Sequence, residues 1–179
     1  MSTASVFTYK RGDTYISNRR PKKDENGKLI LDAKGRPEYQ TFNGLVSKIY
    51  VHGWWFETLE RMDGYMHMKG GQDYHNSKIF WHKKYNSYVI NPNLGVEKEK
   101  TKNNILFHPA TLPSHLEGCV AVGFFDPKGV LDYSKESFEI MWDFAGGGSG
   151  DKSKILAITL RVEGNMPRLS ACKKWAYTG

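Results

Sequence analysis

Cysteine and long apolar runs are scarce in this chain. Its 179 residues contain two cysteines, Cys119 and Cys172, so at most one disulfide can form, which is too few to hold a fold of this length. No stretch approaches the ~18 consecutive apolar residues of a membrane-spanning helix. Residues 1–10 lack the basic segment, apolar core and small-residue cleavage site of a secretory signal. We therefore expect a fold stabilised by a hydrophobic core, without a membrane span or signal peptide.

Acidic residues are outnumbered by basic ones. The chain has 19 Asp and Glu against 26 Lys and Arg, which gives a formal net charge of +7. A positive protein attracts anionic partners over long distances. The charge therefore predicts binding to peptidoglycan or another anionic polymer, and nucleic acid is a less favoured alternative. Charge alone does not choose between these partners.

Short runs of β-branched and aromatic residues dominate the middle of the chain. They are separated by Gly, Pro and Asn, a spacing typical of strands. The predicted strands are 45–51, 54–60, 65–68, 78–82, 87–91, 104–108, 119–125 and 154–162. One helix is predicted at 134–145, with Ser134 as its N-cap and an apolar face at helical spacing. The predicted fold class is mainly β, a β-rich α+β protein with an antiparallel sheet or barrel and one main helix near 134–145.

The length predicts a single domain over residues 1–179 with two appendages. Residues 18–40 are polar and basic, and the Asn26-Gly27 pair beside a short apolar run is typical of a hairpin. This exposed insertion is either a solvated loop or a contact for an anionic polymer. The second appendage is the C-terminal tail, residues 163–179, which shows no clear periodicity.

The candidate chemistry lies in one histidine and one cysteine. An apolar run ends at His108, a loop with two prolines follows, and Gly118 precedes Cys119 at the start of the next apolar run. An imidazole near a thiol can take its proton and produce the nucleophilic thiolate. Backbone N–H groups of Gly118 and Cys119 could stabilise an oxyanion. The pattern predicts attack on an amide carbonyl, although a buried structural cysteine and histidine would have the same spacing.

Several segments resemble a domain-of-unknown-function family that is widespread in bacteriophages. They are Thr58-Leu59-Glu60, Gly64-Tyr65, Gly70-Gly71, His108-Pro109, Glu117-Gly118-Cys119 and Tyr133-Ser134, and the resemblance covers about residues 50–145. The block around Cys119 is in turn similar to the signature of L,D-transpeptidases. That resemblance implies an L,D-transpeptidase-like fold and a cysteine enzyme acting on peptidoglycan stem peptides through an acyl-enzyme. It also implies that Cys119 is the nucleophile and His108 the base.

The chain departs from these patterns at a few positions. Ala110-Thr111 replaces Gly-Asn, Leu116 replaces a hydroxyl residue, and Ala121 replaces a basic residue. These changes favour an alternative function, a non-catalytic phage virion or host-interaction module that retains the fold. A nucleic-acid-binding protein is the third alternative. The expected location is the cytoplasm of the producing cell, which the resemblance suggests is phage-infected, or the virion.

The remaining candidates surround this pair. His115, four residues before Cys119, is a second candidate imidazole, and Trp81, Tyr88, Glu60 and Ser114 are candidates for substrate binding. The histidines and cysteines show none of the spacings typical of zinc sites, so no metal and no cofactor is predicted.

Overall fold

The computed structural model describes residues 3–94 and 105–176, and strands dominate this part of the chain. The described residues form nine strands and one α-helix. The strands are β1 (Ser5–Pro21), β2 (Tyr39–Val51), β3 (Trp54–Arg61), β4 (Gln72–His82), β5 (Ser87–Asn91), β6 (Val120–Phe125), β7 (Leu131–Asp132), β8 (Ile155–Glu163) and β9 (Lys173–Lys174). The helix is α1 (Ser134–Phe144), and three 3-10 turns lie at Lys83–Tyr85, Pro113–His115 and Leu169–Ala171. The prediction of a mainly β fold with one main helix is confirmed.

All nine strands belong to one sheet. Its order is β5-β4-β8-β1-β2-β3-β6-β7, with β9 added beside β1. Most neighbours are antiparallel, but β1 runs parallel to both β8 and β9, which the sequence did not predict. Phe107 bridges β6 in parallel and β5 antiparallel, so the sheet curls until its end strand β5 and its next-to-last strand β6 share one linking residue.

The main core lies on the inner face of the curled sheet. It contains alternating residues of the central strands together with the inner face of α1, including Phe7, Ile49, Phe107, Val120 and Trp142. A second, smaller cluster lies on the outer face and contains Leu59, Leu116, Cys119, Ala121 and Leu131. Side chains alternate between the two faces along each strand, which explains why neighbouring residues enter different clusters.

Residues 22–38 form an exposed ribbon that extends the hairpin of β1 and β2. Asp24 and Asp32 each begin a turn, and each side chain accepts hydrogen bonds from backbone N–H groups two and four residues later. Gly27 and Gly35 follow with φ of 77° and 74°, a conformation that favours glycine. Leu31 is 53% exposed, so the ribbon's apolar residues do not supply the core.

The predicted strand at 65–68 is wrong. Gly64 turns the chain with a φ of 75°, and residues 65–68 form no strand. The carbonyl groups of this loop accept side-chain hydrogen bonds instead, with Arg11 bound to Met68 and His67 to Met62. The predicted strand 104–108 is reduced to the Phe107 bridge, because Pro109 has no N–H to continue a ladder. Asn104 and residues 177–179 of the predicted tail lie outside the described residues.

The helix is present where it was predicted, but its N-cap is not Ser134. The cap is Tyr133, whose φ of 55° is left-handed, and Ser134 is the first helical residue. The hydroxyl of Ser134 donates to the Val122 carbonyl in β6, 2.5 Å away, so it is committed to the sheet rather than to the helix end. Among the described residues, no helix is long and apolar enough to cross a membrane.

Candidate active site

The bridge between Phe107 and Val120 determines where His108 and Cys119 point. Phe107 and Val120 both enter the inner core, so the residues beside them face outward. The His108 N–H donates to the Val120 carbonyl at 2.9 Å, and the Val120 N–H donates to the Leu106 carbonyl at 3.0 Å. The imidazole and the thiol therefore lie on the same face of two adjacent segments.

The turn before Cys119 is held by two side chains from the 61–65 region. Gly118 has a φ of 82°, and a Cβ built on it would lie 2.9 Å from the Tyr65 side chain. Only glycine combines this backbone conformation with so close a contact. Arg61 donates to the Leu116 carbonyl at 3.0 Å, and its guanidinium lies over the Tyr65 ring at 4.9 Å. These contacts fix the backbone amides that precede the sulfur.

His108 is held in one tautomer. Its Nδ1 lies 3.0 Å from the Pro109 carbonyl, which can only accept a hydrogen bond, so Nδ1 carries the proton and Nε2 keeps its lone pair. The ring stacks on Tyr85, with centroids 4.3 Å apart and planes 14° from parallel. Burial lowers the pKa of His108, with further lowering by the charges of Lys84 and His82 against a raising effect of the Pro109 carbonyl. The imidazole is thus neutral and basic at Nε2.

The surroundings of Cys119 favour its protonated thiol at neutral pH. Burial raises the pKa of its thiol and Glu117 raises it further, whereas the Leu106 amide and the charge of Lys84 lower it. The exposed fractions are 7% for Cys119 and 5% for His108. The site therefore holds a neutral thiol and a neutral imidazole, both shielded from water.

Tyr85 and its neighbours were not predicted as part of the site. Burial raises the pKa of Tyr85, and the negative charges of an ionised Cys119 and of Glu117 would raise it further. His82 lies 5.0 Å from the Tyr85 ring, and its buried Nδ1 has no hydrogen-bond partner among the described residues. These residues belong to the β4–β5 connection, whose aromatic and basic composition was the only signal in the sequence.

The structure places Trp81 and Tyr88 away from this face. Tyr88 is buried in the inner core and stacks on Trp142 of α1, with centroids 4.4 Å apart. Trp81 packs edge-on against Tyr88, and the Lys152 ammonium lies 3.9 Å above its ring. This pair therefore lies on the helix side of the sheet, and Cys119 lies on the opposite side.

Ser114 and His115 lie on the loop that connects His108 to Cys119. Ser114 is tied to β1, because its hydroxyl accepts from the Asn18 amide and its N–H donates to the Asn18 side-chain oxygen. His115 is exposed, and its Nδ1 lies 3.0 Å from the Thr111 hydroxyl. Burial lowers the pKa of His115, and the charge of Arg20 lowers it further. The described side-chain contacts of the two residues are therefore with Asn18 and Thr111.

Glu60 lies in the inner core, where it forms a buried ion pair. Its carboxylate accepts two hydrogen bonds from Arg11, both 2.9 Å long, and one from the Tyr9 hydroxyl at 2.6 Å. His67 Nδ1 lies 3.5 Å from the second oxygen. Burial would raise the pKa of Glu60, but the contacts with His67, Arg11 and Tyr9 lower it to about 2. The geometry gives Glu60 a role in stabilising the loop 62–71 and not in contacting a ligand.

Within the described residues, no group of three or more His, Cys, Asp or Glu side chains is arranged to hold a metal ion. Comparisons with protein-family models, with curated proteins and with solved structures found no match. The function is therefore inferred from the residues of the site.

Proposed function

We propose that this protein is a cysteine enzyme that breaks or exchanges an amide bond, with Cys119 as nucleophile and His108 as general base. The observation that carries the proposal is the placement of both side chains on one face of adjacent, hydrogen-bonded segments. The tautomer of His108 adds support, because its Nδ1–H is bound to Pro109 and its Nε2 is left to accept a proton.

The neutral pair suits a mechanism in which the proton moves during attack. The Cys119 thiol gives its proton to His108 Nε2 as the sulfur bonds to the substrate carbonyl carbon. The amides of Gly118 and Cys119 are the candidates to stabilise the resulting oxyanion. When the C–N bond breaks, protonated His108 returns the proton to the leaving amine. A thioester remains, and water or an acceptor amine then attacks it and releases the thiol.

The substrate class follows from the resemblance of the Cys119 block to L,D-transpeptidases. We propose a peptidoglycan stem peptide, and the net positive charge of the chain is compatible with approach to an anionic cell wall. A phage association is part of the same proposal. Tyr85 stacks on His108, so the substrate must displace the Tyr85 ring or move the turn that carries it.

A second candidate function is a non-catalytic virion or host-interaction module. The observation that favours it is the low exposure of both site residues, 5% for His108 and 7% for Cys119. In such a module the two side chains would contribute to packing on the outer face of the sheet and would have no chemical role. The two functions differ in whether the sulfur is ever acylated.

The test is incubation of the full chain with purified muropeptides, followed by mass spectrometry of both peptides and protein. We expect new peptide products and a transient adduct on Cys119, both lost in Cys119→Ala. His108→Ala should slow the reaction by about 10²–10⁴-fold, the usual contribution of a general base. Cys172→Ala is the matched control, because this second cysteine lies elsewhere and its thiol donates to the Arg168 carbonyl.

Products that persist in Cys119→Ala would remove the nucleophile from the proposal. Absence of both products and adduct in a folded wild-type protein would favour the non-catalytic module. Circular dichroism of each variant, recorded beside the wild type, separates loss of chemistry from loss of fold.

A further inference from the structure

A groove of about 420 Å³ lies on the outer face of the sheet, away from Cys119. Its floor is formed where β1 shifts register against β2, at Gly12, Val46 and Ser47. A Cβ on Gly12 would lie 2.6 Å from the Val46 carbonyl oxygen, so the floor requires glycine. The Gly12 N–H donates to the Ser47 hydroxyl at 3.1 Å. The bulge thus produces a defined concave surface.

Aromatic side chains form the walls of this groove. Trp175, from the C-terminal tail, faces it together with Phe125 of β6 and Tyr50 of β2. The backbone N–H of Trp175 donates a hydrogen bond to the Tyr15 carbonyl at 2.8 Å. Gly129 packs against the indole, because a Cβ there would lie 3.2 Å from the ring. The tryptophan is therefore held in place before any ligand arrives.

The charges around the groove are balanced. Lys10 and Lys48 contribute two positive charges, and Asp13 and Glu57 contribute two negative ones. Arg11 also lines the groove, but its guanidinium is paired with buried Glu60. A strongly anionic ligand would gain little from this arrangement, even though the whole chain is positive.

A ligand for this groove must offer apolar faces to the aromatic walls and hydrogen-bonding groups to the polar rim. A sugar ring has both, because its C–H groups form a flat apolar face and its hydroxyls project from the edge. Aromatic side chains supply large rigid contact surfaces, and the Lys, Asp, Glu and Thr14 side chains supply donors and acceptors.

We propose that the groove is a binding site for a neutral oligosaccharide, with Trp175 as the stacking residue. Phe125 ends β6 and Cys119 precedes its start, so six residues, or about 20 Å of strand, separate the groove from the thiol. The site therefore holds a glycan independently of the chemistry at Cys119. If the proposed function holds, the groove anchors the protein on the glycan of the polymer whose peptides it processes.

The test is a titration of the full chain with chitotetraose, followed by calorimetry and by amide NMR. We expect a dissociation constant of about 1 mM or tighter and an affinity at least about tenfold weaker in Trp175→Ala. Trp54→Ala is the matched control, because Trp54 is 55% exposed and does not line the groove. In the wild type, the amide signals of Gly12 and Ser47 should shift, which locates the ligand even where Trp175→Ala does not fold.

Cys119→Ala should bind the sugar as the wild type does, so this proposal and the proposed function can fail separately. Absence of saturation, or amide shifts confined to residues outside the groove, would overturn the proposal. Equal affinity in Trp175→Ala would do the same. A single-stranded oligonucleotide that binds the groove more tightly than the sugar would also overturn it, since the balanced rim predicts the reverse.

Discussion

Replacement of Glu60 by glutamine should destabilise the protein strongly, because it removes the negative charge beside a buried cation. Both side chains are shielded from solvent, with 1% exposure for Arg11 and 0% for Glu60. Glutamine keeps the size of the side chain but leaves the guanidinium without a counter-charge. Breaking a buried ion pair in this way typically costs about 3–5 kcal/mol. We expect a loss of that size in the free energy of unfolding at pH 7.

The pH dependence of this loss provides a second, independent measurement. The pKa of Glu60 is lowered from an ordinary 4.5 to about 2 in the folded protein. A group whose folded pKa is lowered stabilises the fold above its unfolded pKa, and that stability disappears as the pH falls towards the folded pKa. At pH 7 the lowered pKa of Glu60 contributes about 3 kcal/mol to the free energy of unfolding, and about 1.4 kcal/mol of this is lost when the pH falls to 3.5. Glu60→Gln lacks this titration.

Urea unfolding of the wild type and Glu60→Gln at pH 7 and pH 3.5 measures both quantities. The difference between the two proteins should shrink by about 1.4 kcal/mol at the lower pH. Glu38→Gln is the control, because it breaks the exposed Lys22–Glu38 pair and should cost less than about 1 kcal/mol. A Glu60→Gln protein within about 1 kcal/mol of the wild type, or a difference that does not change with pH, would refute this reasoning.

Three further predictions concern the face that carries Cys119. Gly118→Ala should lower the free energy of unfolding by about 1–3 kcal/mol through backbone strain, and by more through the clash with Tyr65. Thermal unfolding of Gly146→Ala measures the strain alone, because Gly146 also has a positive φ but a Cβ there would meet nothing within 4 Å. Tyr85→Ala should speed alkylation of Cys119 by iodoacetamide, because it uncovers the imidazole and thiol; an unchanged rate would show that Tyr85 does not cover them. Because burial raises the pKa of Cys119, its alkylation rate in the wild type should still increase with pH above about 10, where a free thiol is almost fully ionised. A rate that is constant above about pH 10 would contradict the raised pKa.

The strands that were predicted well either alternate apolar and polar residues or end at clear turn residues. β5 matches its predicted range, 87–91, because Asn86 provides a left-handed turn before it and Pro92 follows it. β1 was not among the predicted strands. Its alternation is interrupted by the register shift between Lys10 and Thr14, and one of its inward residues is the charged Arg11. A charged residue in the core is not detectable from local hydrophobic periodicity.

The candidate site shows the same division between local and long-range information. The sequence predicted that one loop joins the segments of His108 and Cys119, and the structure pairs these segments at Phe107 and Val120. The ion pair of Arg11 and Glu60 joins residues 49 positions apart, and the stack of Tyr85 on His108 depends on how β5 meets Phe107. Such pairings arise from strand order, which a single sequence does not reveal.

The burial of the Cys119 sulfur affects how fast it is oxidised by oxygen and peroxide. Oxidation to sulfenic and sulfinic acids proceeds through the thiolate and needs contact with dissolved oxidant. A thiol that is 7% exposed and has a raised pKa forms little thiolate at neutral pH and has little contact with dissolved oxidant. Cys119 should therefore be oxidised more slowly than an exposed thiol of ordinary pKa.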